Sequence, residues 1–224
     1  MTVQAALPRR AVLPATRALA YRVCLAMGVL AGALACLASP ETSAIPPPTL
    51  IIAMAVLTLS AAVGCRALYA ALHWRRFVGS LPRLVQFGNS GLSIFGGLMG
   101  TLVAGPFIAM MLGVSFWRSA DILAPFGLIA AAGARMGCAV HGCCRGRTPL
   151  LPLSEAVFLL SLAALLRLPA ARDGTMFLAA VACYAVWRLA TNQIRADRHL
   201  TPRRTSFAAA ALAAACAGLA TVGR

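Results

Sequence analysis

Lysine is absent from this chain: all twenty basic residues are arginine, and only five acids face them, for a formal net charge of +15. Charged residues of both signs fill just 11% of the 224 positions, and aromatics 7%. Hydrophobic residues reach 61%, with a mean hydropathy of +0.84. So little polar surface cannot cover a soluble fold, which excludes a water-soluble globular domain and turns most helices toward lipid. Several uncharged runs approach the length needed to cross a bilayer. Lacking a polar domain, the chain also has nothing to carry nucleic acid, the partner that a pI near 11.3 would otherwise suggest. Arginines at helix ends instead serve orientation and contact with anionic lipid. Repeats of transporter type are missing and no composition shift marks a boundary, so residues 1–224 form a single transmembrane domain.

Cysteine is present eight times but builds no secreted disulfide framework. Cys24, Cys36, Cys65, Cys183 and Cys216 fall inside apolar runs, where a buried thiol packs as a small hydrophobe. Arg9-Arg10 and the apolar run after it have the outline of an export signal, but in a multi-spanning chain the expectation is a retained first span.

The hydrophobic runs predict an all-α polytopic membrane protein with about seven transmembrane helices. They cover residues 23–38, a run after the proline-rich 45–48 to residue 65, then 98–117, 122–134, 151–166, 175–192 and 206–222. Thirty-four uncharged residues separate Arg83 from Arg118, too many for one straight span. Their early part, residues 86–97, is polar and glycine-rich and reads as a partly buried loop or re-entrant segment before the third helix. Irregular backbone at such depth must be shielded by protein or line a cavity. The first loop has no arginine while the N-terminal segment has four, which by the positive-inside rule puts the N-terminus in the cytoplasm.

Four groupings can carry chemistry. Residues 133–147 gather three Arg, three Cys, one His and four Gly at the end of an apolar run. Such groups are costly at the membrane and mark a site. Cys138, His141, Cys143 and Cys144 admit a thiol-redox or metal reading, although the spacing is cramped for tetrahedral ligation and Arg145 and Arg147 oppose a cation. Arg135, with no acid nearby in sequence, calls for an anionic partner such as a lipid phosphate. Tyr184, Arg188, Asn192 and Arg195 stack on one helix face, as either a cationic cavity wall or a snorkelling helix end. Glu155 is expected to be the only acid inside a span, either a helix-start carboxylate or the ion-pair partner of an arginine. Gly96-Gly97-Leu98-Met99-Gly100 permits close approach of a helix or a ligand.

In order and spacing these elements resemble the bacterial prolipoprotein diacylglyceryl transferase family, over about residues 91–195. The matching stretches are Ser93-Ile94-Phe95-Gly96-Gly97-Leu98, Ala134-Arg135-Met136-Gly137-Cys138 through Gly146-Arg147, Pro149 or Pro152 with Glu155, and the Tyr184 stripe. The resemblance implies a multi-pass enzyme of the bacterial cytoplasmic membrane, monomeric, needing no cofactor or metal. It would transfer diacylglyceryl from phosphatidylglycerol to the lipobox cysteine thiol of a prolipoprotein signal peptide. It assigns Arg135, Arg188 and Tyr184 to the phosphate and gives substrate contact to Gly96, Gly97, Gly146, Arg147, Glu155, Asn192 and Arg195; with the family's motif histidine replaced, His141 is the candidate to take over acid–base work. It also implies an N-terminus outside the cytoplasm, against the arginine count. The chain departs from the family where the motif histidine is Phe95, an asparagine is Cys138 and a carboxylate is Asn192. Those departures keep open a catalytically inactive relative that binds anionic lipid or a lipoprotein partner.

Overall fold

A computed structural model of the chain describes residues 15–74, 94–141, 150–166, 172–191 and 201–222. Among them there are seven α-helices and no strand. They are α1 (Ala15–Leu37), α2 (Pro47–Leu72), α3 (Ile94–Leu112), α4 (Phe116–His141), α5 (Leu151–Leu165), α6 (Thr175–Thr191) and α7 (Thr201–Val222). Local chemistry sets their ends. Proline at the first positions of α2 and α5 removes N–H groups that have no helical partner there. Gly113, at φ +66°, closes α3, and the Val114 N–H reaches back to the Ala109 carbonyl at 3.2 Å.

Four helices are long and apolar enough to cross a bilayer: Leu19–Leu37, Pro47–Leu72, Ile94–Leu112 and Phe116–His141. The apolar stretches Leu151–Leu165, Thr175–Thr191 and Ser206–Leu219 are shorter. This is a polytopic membrane protein of the expected class, with corrected helix limits. Helix α3 begins at Ile94, so Ile94–Gly97 is its first turn rather than a loop; residues 86–93 lie outside the described residues. Helix α4 starts six residues before the expected span and ends seven after it, because backbone hydrogen bonding continues where hydropathy stops. Asp121 is therefore inside a helix, and Glu155 is not the only acid in one.

Helix α4 is the hub, packed chiefly against α1 and α5, while α2 pairs with α3 and α6 with α7. Glycine lets backbones touch at both large seams. A Cβ on Gly28 of α1 would lie 2.8 Å from Gly133 Cα of α4, and one on Gly64 of α2 would collide with the Gly96 carbonyl of α3. Leu50, Met54, Ile108, Leu123 and Phe126 fill the core among α1–α4. Large apolar side chains such as Met110 and Val103 point outward, as a lipid-facing surface allows.

The five apolar-run cysteines differ in placement. Cys36 is buried, but Cys183 and Cys216 are exposed and Cys24 and Cys65 half-buried, because a helix in lipid needs no core contact to satisfy an apolar thiol.

Candidate functional site

The end of the bundle where α4 and α6 finish and α5 begins holds a cluster of charged groups. Glu155 lies in the second turn of α5, 2% exposed. Its Oε1 faces Arg135 Nη2 of α4 at 3.1 Å and Arg188 Nη1 of α6 at 3.3 Å. The Tyr184 hydroxyl donates to the same oxygen at 2.8 Å, and Arg135 Nη2 donates to the Tyr184 oxygen at 3.4 Å. Arg135 and Arg188 are themselves 11% and 9% exposed. Two guanidiniums and one carboxylate give these three groups a formal charge of +1, held in a medium of low dielectric.

Helix ends and small residues build this arrangement. Tyr184 and Arg188 sit four apart, on one face of α6, and Arg188 in the last turn meets the negative end of the helix dipole. Ala132 and Ala156 let α4 and α5 approach closely, and the Tyr184 ring packs on that seam. At the far end, buried Asp121 of α4 accepts the backbone N–H of Gly174 at 2.6 Å and of Phe177 at 2.7 Å, capping α6. Gly174 takes φ +86° there, against the Trp117 ring. Arg118 faces Glu41 at 3.6 Å and Asp173 at 3.9 Å, and the Ser115 hydroxyl donates to Asp173 at 3.0 Å. Arg135 follows Asp121 by fourteen positions, and Arg188 follows Gly174 by fourteen. The two helices thus run parallel from a common clamp, and each delivers its arginine after about 21 Å of rise.

The structure therefore brings Arg135, Glu155, Tyr184 and Arg188 together. It sets His141 apart. Six residues beyond Arg135, His141 is turned by about 120° on the helix. It lies buried against α1, edge-on to the Tyr21 ring at 6.1 Å between centroids, and its Nδ1 has no hydrogen-bond partner among the described residues. Gly96 and Gly97 are buried against α2, where added Cβ atoms would meet Leu68 Cβ at 2.7 Å and Cys65 Sγ at 2.8 Å. Phe95, which stands where the family pattern has histidine, is buried and stacks on Phe207 of α7 at 6.2 Å. Cys138 is buried in α4. Gly146, Arg147, Asn192, Arg195, Cys143 and Cys144 lie outside the described residues.

Asp121 stands two heptads before Arg135, a spacing signal that hydropathy hides, and the stacking of the Phe158 ring on Trp187 at 4.5 Å between centroids leaves no sequence signal. Arg66 of α2 is buried too, with its guanidinium over the Tyr69 ring at 5.9 Å.

Fold and site together define a polytopic helical membrane protein whose buried arginine pair is centred on one carboxylate. The sequence profile of the prolipoprotein diacylglyceryl transferase family, a family of transferases, matches residues 12–223, and the chain belongs to that family. Among curated relatives, a phosphatidylglycerol–prolipoprotein diacylglyceryl transferase of Bacillus cereus (strain 03BB102) is 32% identical over 117 residues. The same-named protein of Bacillus thuringiensis subsp. konkukian (strain 97-27) matches equally. Each match covers 52% of this chain and 43% of the relative, so the chain spans less than half the length of the curated relatives it matches.

Proposed function

We propose that this protein transfers a diacylglyceryl group from phosphatidylglycerol to the lipobox cysteine of a prolipoprotein signal peptide, as a monomer in the bacterial cytoplasmic membrane. The observation that carries the reading is the convergence of Arg135 and Arg188, from two helices, on the single carboxylate of Glu155. Each guanidinium has five N–H donors in a planar fork, suited to the phosphate of an anionic lipid. Glu155 and Tyr184 hold the forks in place, so that charge appearing on a departing phosphate meets donors already oriented.

The chemistry is a displacement at the glyceryl carbon that bears the phosphate. The substrate's thiol sulfur forms a thioether bond, and the carbon–oxygen bond to phosphate breaks. Its electron pair leaves with glycerol phosphate, and the thiol proton balances the second negative charge gained by that phosphate. The nucleophile belongs to the peptide, so the enzyme's own contribution is binding, orientation and charge stabilisation. Family resemblance alone extends the substrate contacts to Gly146, Arg147, Asn192 and Arg195. Gly96 and Gly97 contribute by packing α3 on α2, and His141 stands outside the phosphate cluster.

The test is the reconstituted full-length protein given phosphatidylglycerol and a lipobox peptide. A diacylglyceryl mass added to the peptide cysteine, lost in Arg135→Gln, supports the reading; no addition by folded wild type sinks it. One observation favours a second reading, an anionic-lipid-binding relative without transferase activity: Phe95 occupies the motif histidine's position and is committed to Phe207. Lipid binding that requires Arg135, without transfer, identifies that case.

A further inference from the structure

Beside the charged cluster lies a pair of rings that it does not use. Phe158 of α5 and Trp187 of α6 stack face to face, 4.5 Å between centroids and 11° between planes. Phe158 follows Glu155 by three residues and Trp187 follows Tyr184 by three, so the stack flanks the cluster on both helices. Three residues along α5 place Phe158 about 4.5 Å further into the bundle than Glu155. Trp187 leans back toward the start of α6, as helical side chains do, and so meets Phe158 at that deeper level.

Trp187 Nε1 is buried and has no hydrogen-bond partner among the described residues. An indole N–H is a donor only, and a buried donor without an acceptor destabilises a fold. Phenylalanine would make the same stack without that penalty. The unmatched donor therefore points to an acceptor brought by a ligand, and its position narrows the kind. A glycerophospholipid with its phosphate at Arg135 and Arg188 presents its ester carbonyls one glycerol backbone deeper in the apolar layer, at the level of the stack. The indole as a whole is half-buried, so its exposed part is open to a lipid seated along α5 and α6, which reaches Nε1 once the side chains covering that atom give way.

We infer that Trp187 Nε1–H donates to an ester carbonyl of the acyl lipid whose phosphate the arginine pair holds. This rests on the phosphate reading above. It makes the site selective for ester-linked over ether-linked lipid, since an ether analogue with the same headgroup lacks the carbonyl.

The experiment titrates full-length protein, in phosphatidylcholine nanodiscs, with diester phosphatidylglycerol and with its diether analogue. Wild type is expected to bind the diester about 2- to 10-fold more tightly, the worth of one hydrogen bond. Trp187→Phe keeps the stack and removes that preference, with diether affinity unchanged. Equal binding of both lipids by wild type overturns the inference without any variant. So does a Trp187→Phe protein that keeps the wild-type preference, or one that weakens only lipobox-peptide binding. A separate arm isolates the underlying reading: if Arg135→Gln binds diester phosphatidylglycerol as wild type does, the phosphate assignment itself falls.

Discussion

Replacing Glu155 with glutamine removes a negative charge and leaves the side chain's shape nearly unchanged. In the native protein Oε1 receives the Tyr184 hydroxyl at 2.8 Å and faces Arg135 at 3.1 Å and Arg188 at 3.3 Å. Hydrogen bonds to charged groups contribute about 1.5–3 kcal/mol each, and breaking a buried ion pair costs about 3–5 kcal/mol. The three contacts share one oxygen, so they do not add, and the amide keeps an acceptor for one of them. We therefore expect a loss of about 3 kcal/mol, which in a chain of this size lowers Tm by about 6–12 °C. Function separates from stability by sign. Two guanidiniums without their carboxylate take the three groups from +1 to +2, so phosphatidylglycerol binding is kept or tightened. The forks lose their orientation, and turnover falls by about 100-fold, equivalent to about 2.7 kcal/mol of transition-state stabilisation. Thermal unfolding in detergent, together with kcat and KM for phosphatidylglycerol from mass-detected transfer, checks both. An unchanged Tm, or a raised KM with kcat intact, refutes the reasoning, because it would make Glu155 a plain binding or bystander group.

Other substitutions probe the remaining supports. Arg188→Lys keeps the charge but loses the planar fork, and should cut kcat about 10-fold or more in the same transfer assay. Asp121→Ala removes two hydrogen bonds capping α6 and should cost about 1–2 kcal/mol in thermal unfolding, with Asp121→Asn restoring most of it. Gly64→Val forces a side chain into the Gly96 backbone and should abolish monodisperse protein in size-exclusion chromatography. Phe95→His puts an imidazole against Phe207 and should lower stability by about 1–3 kcal/mol. It should leave the transfer rate within about threefold; a large gain in rate would favour the inactive-relative reading.

Helical spacing and scarcity of charge made much of the site legible. Tyr184 and Arg188 share a face because they are four apart, and a lone acid near the start of an apolar helix has few partners beyond the arginines. Contacts between helices were not legible. Spacing cannot say that the Gly96–Gly97 face meets α2 or that Phe95 meets Phe207. His141 and Arg135 are close in sequence, yet a turn of about 120° sends one to α1 and the other to α5 and α6. Hydropathy also misplaced the start of α4, because Arg118 and Asp121 end an apolar run without ending a helix. Their roles, bridging Glu41 with Asp173 and capping α6, appear only once the connections between helices are assembled at one end of the bundle.

In the function proposed above, Arg135 and Arg188 hold a lipid phosphate while a substrate thiol displaces it. Incubating reconstituted wild type with phosphatidylglycerol and a lipobox peptide, and measuring peptide mass, tests it most directly. The expected result is one diacylglyceryl group on the cysteine with release of glycerol phosphate, and loss of both in Arg135→Gln and Arg188→Gln. Folded wild type that adds no mass, or either variant transferring at the wild-type rate, contradicts it.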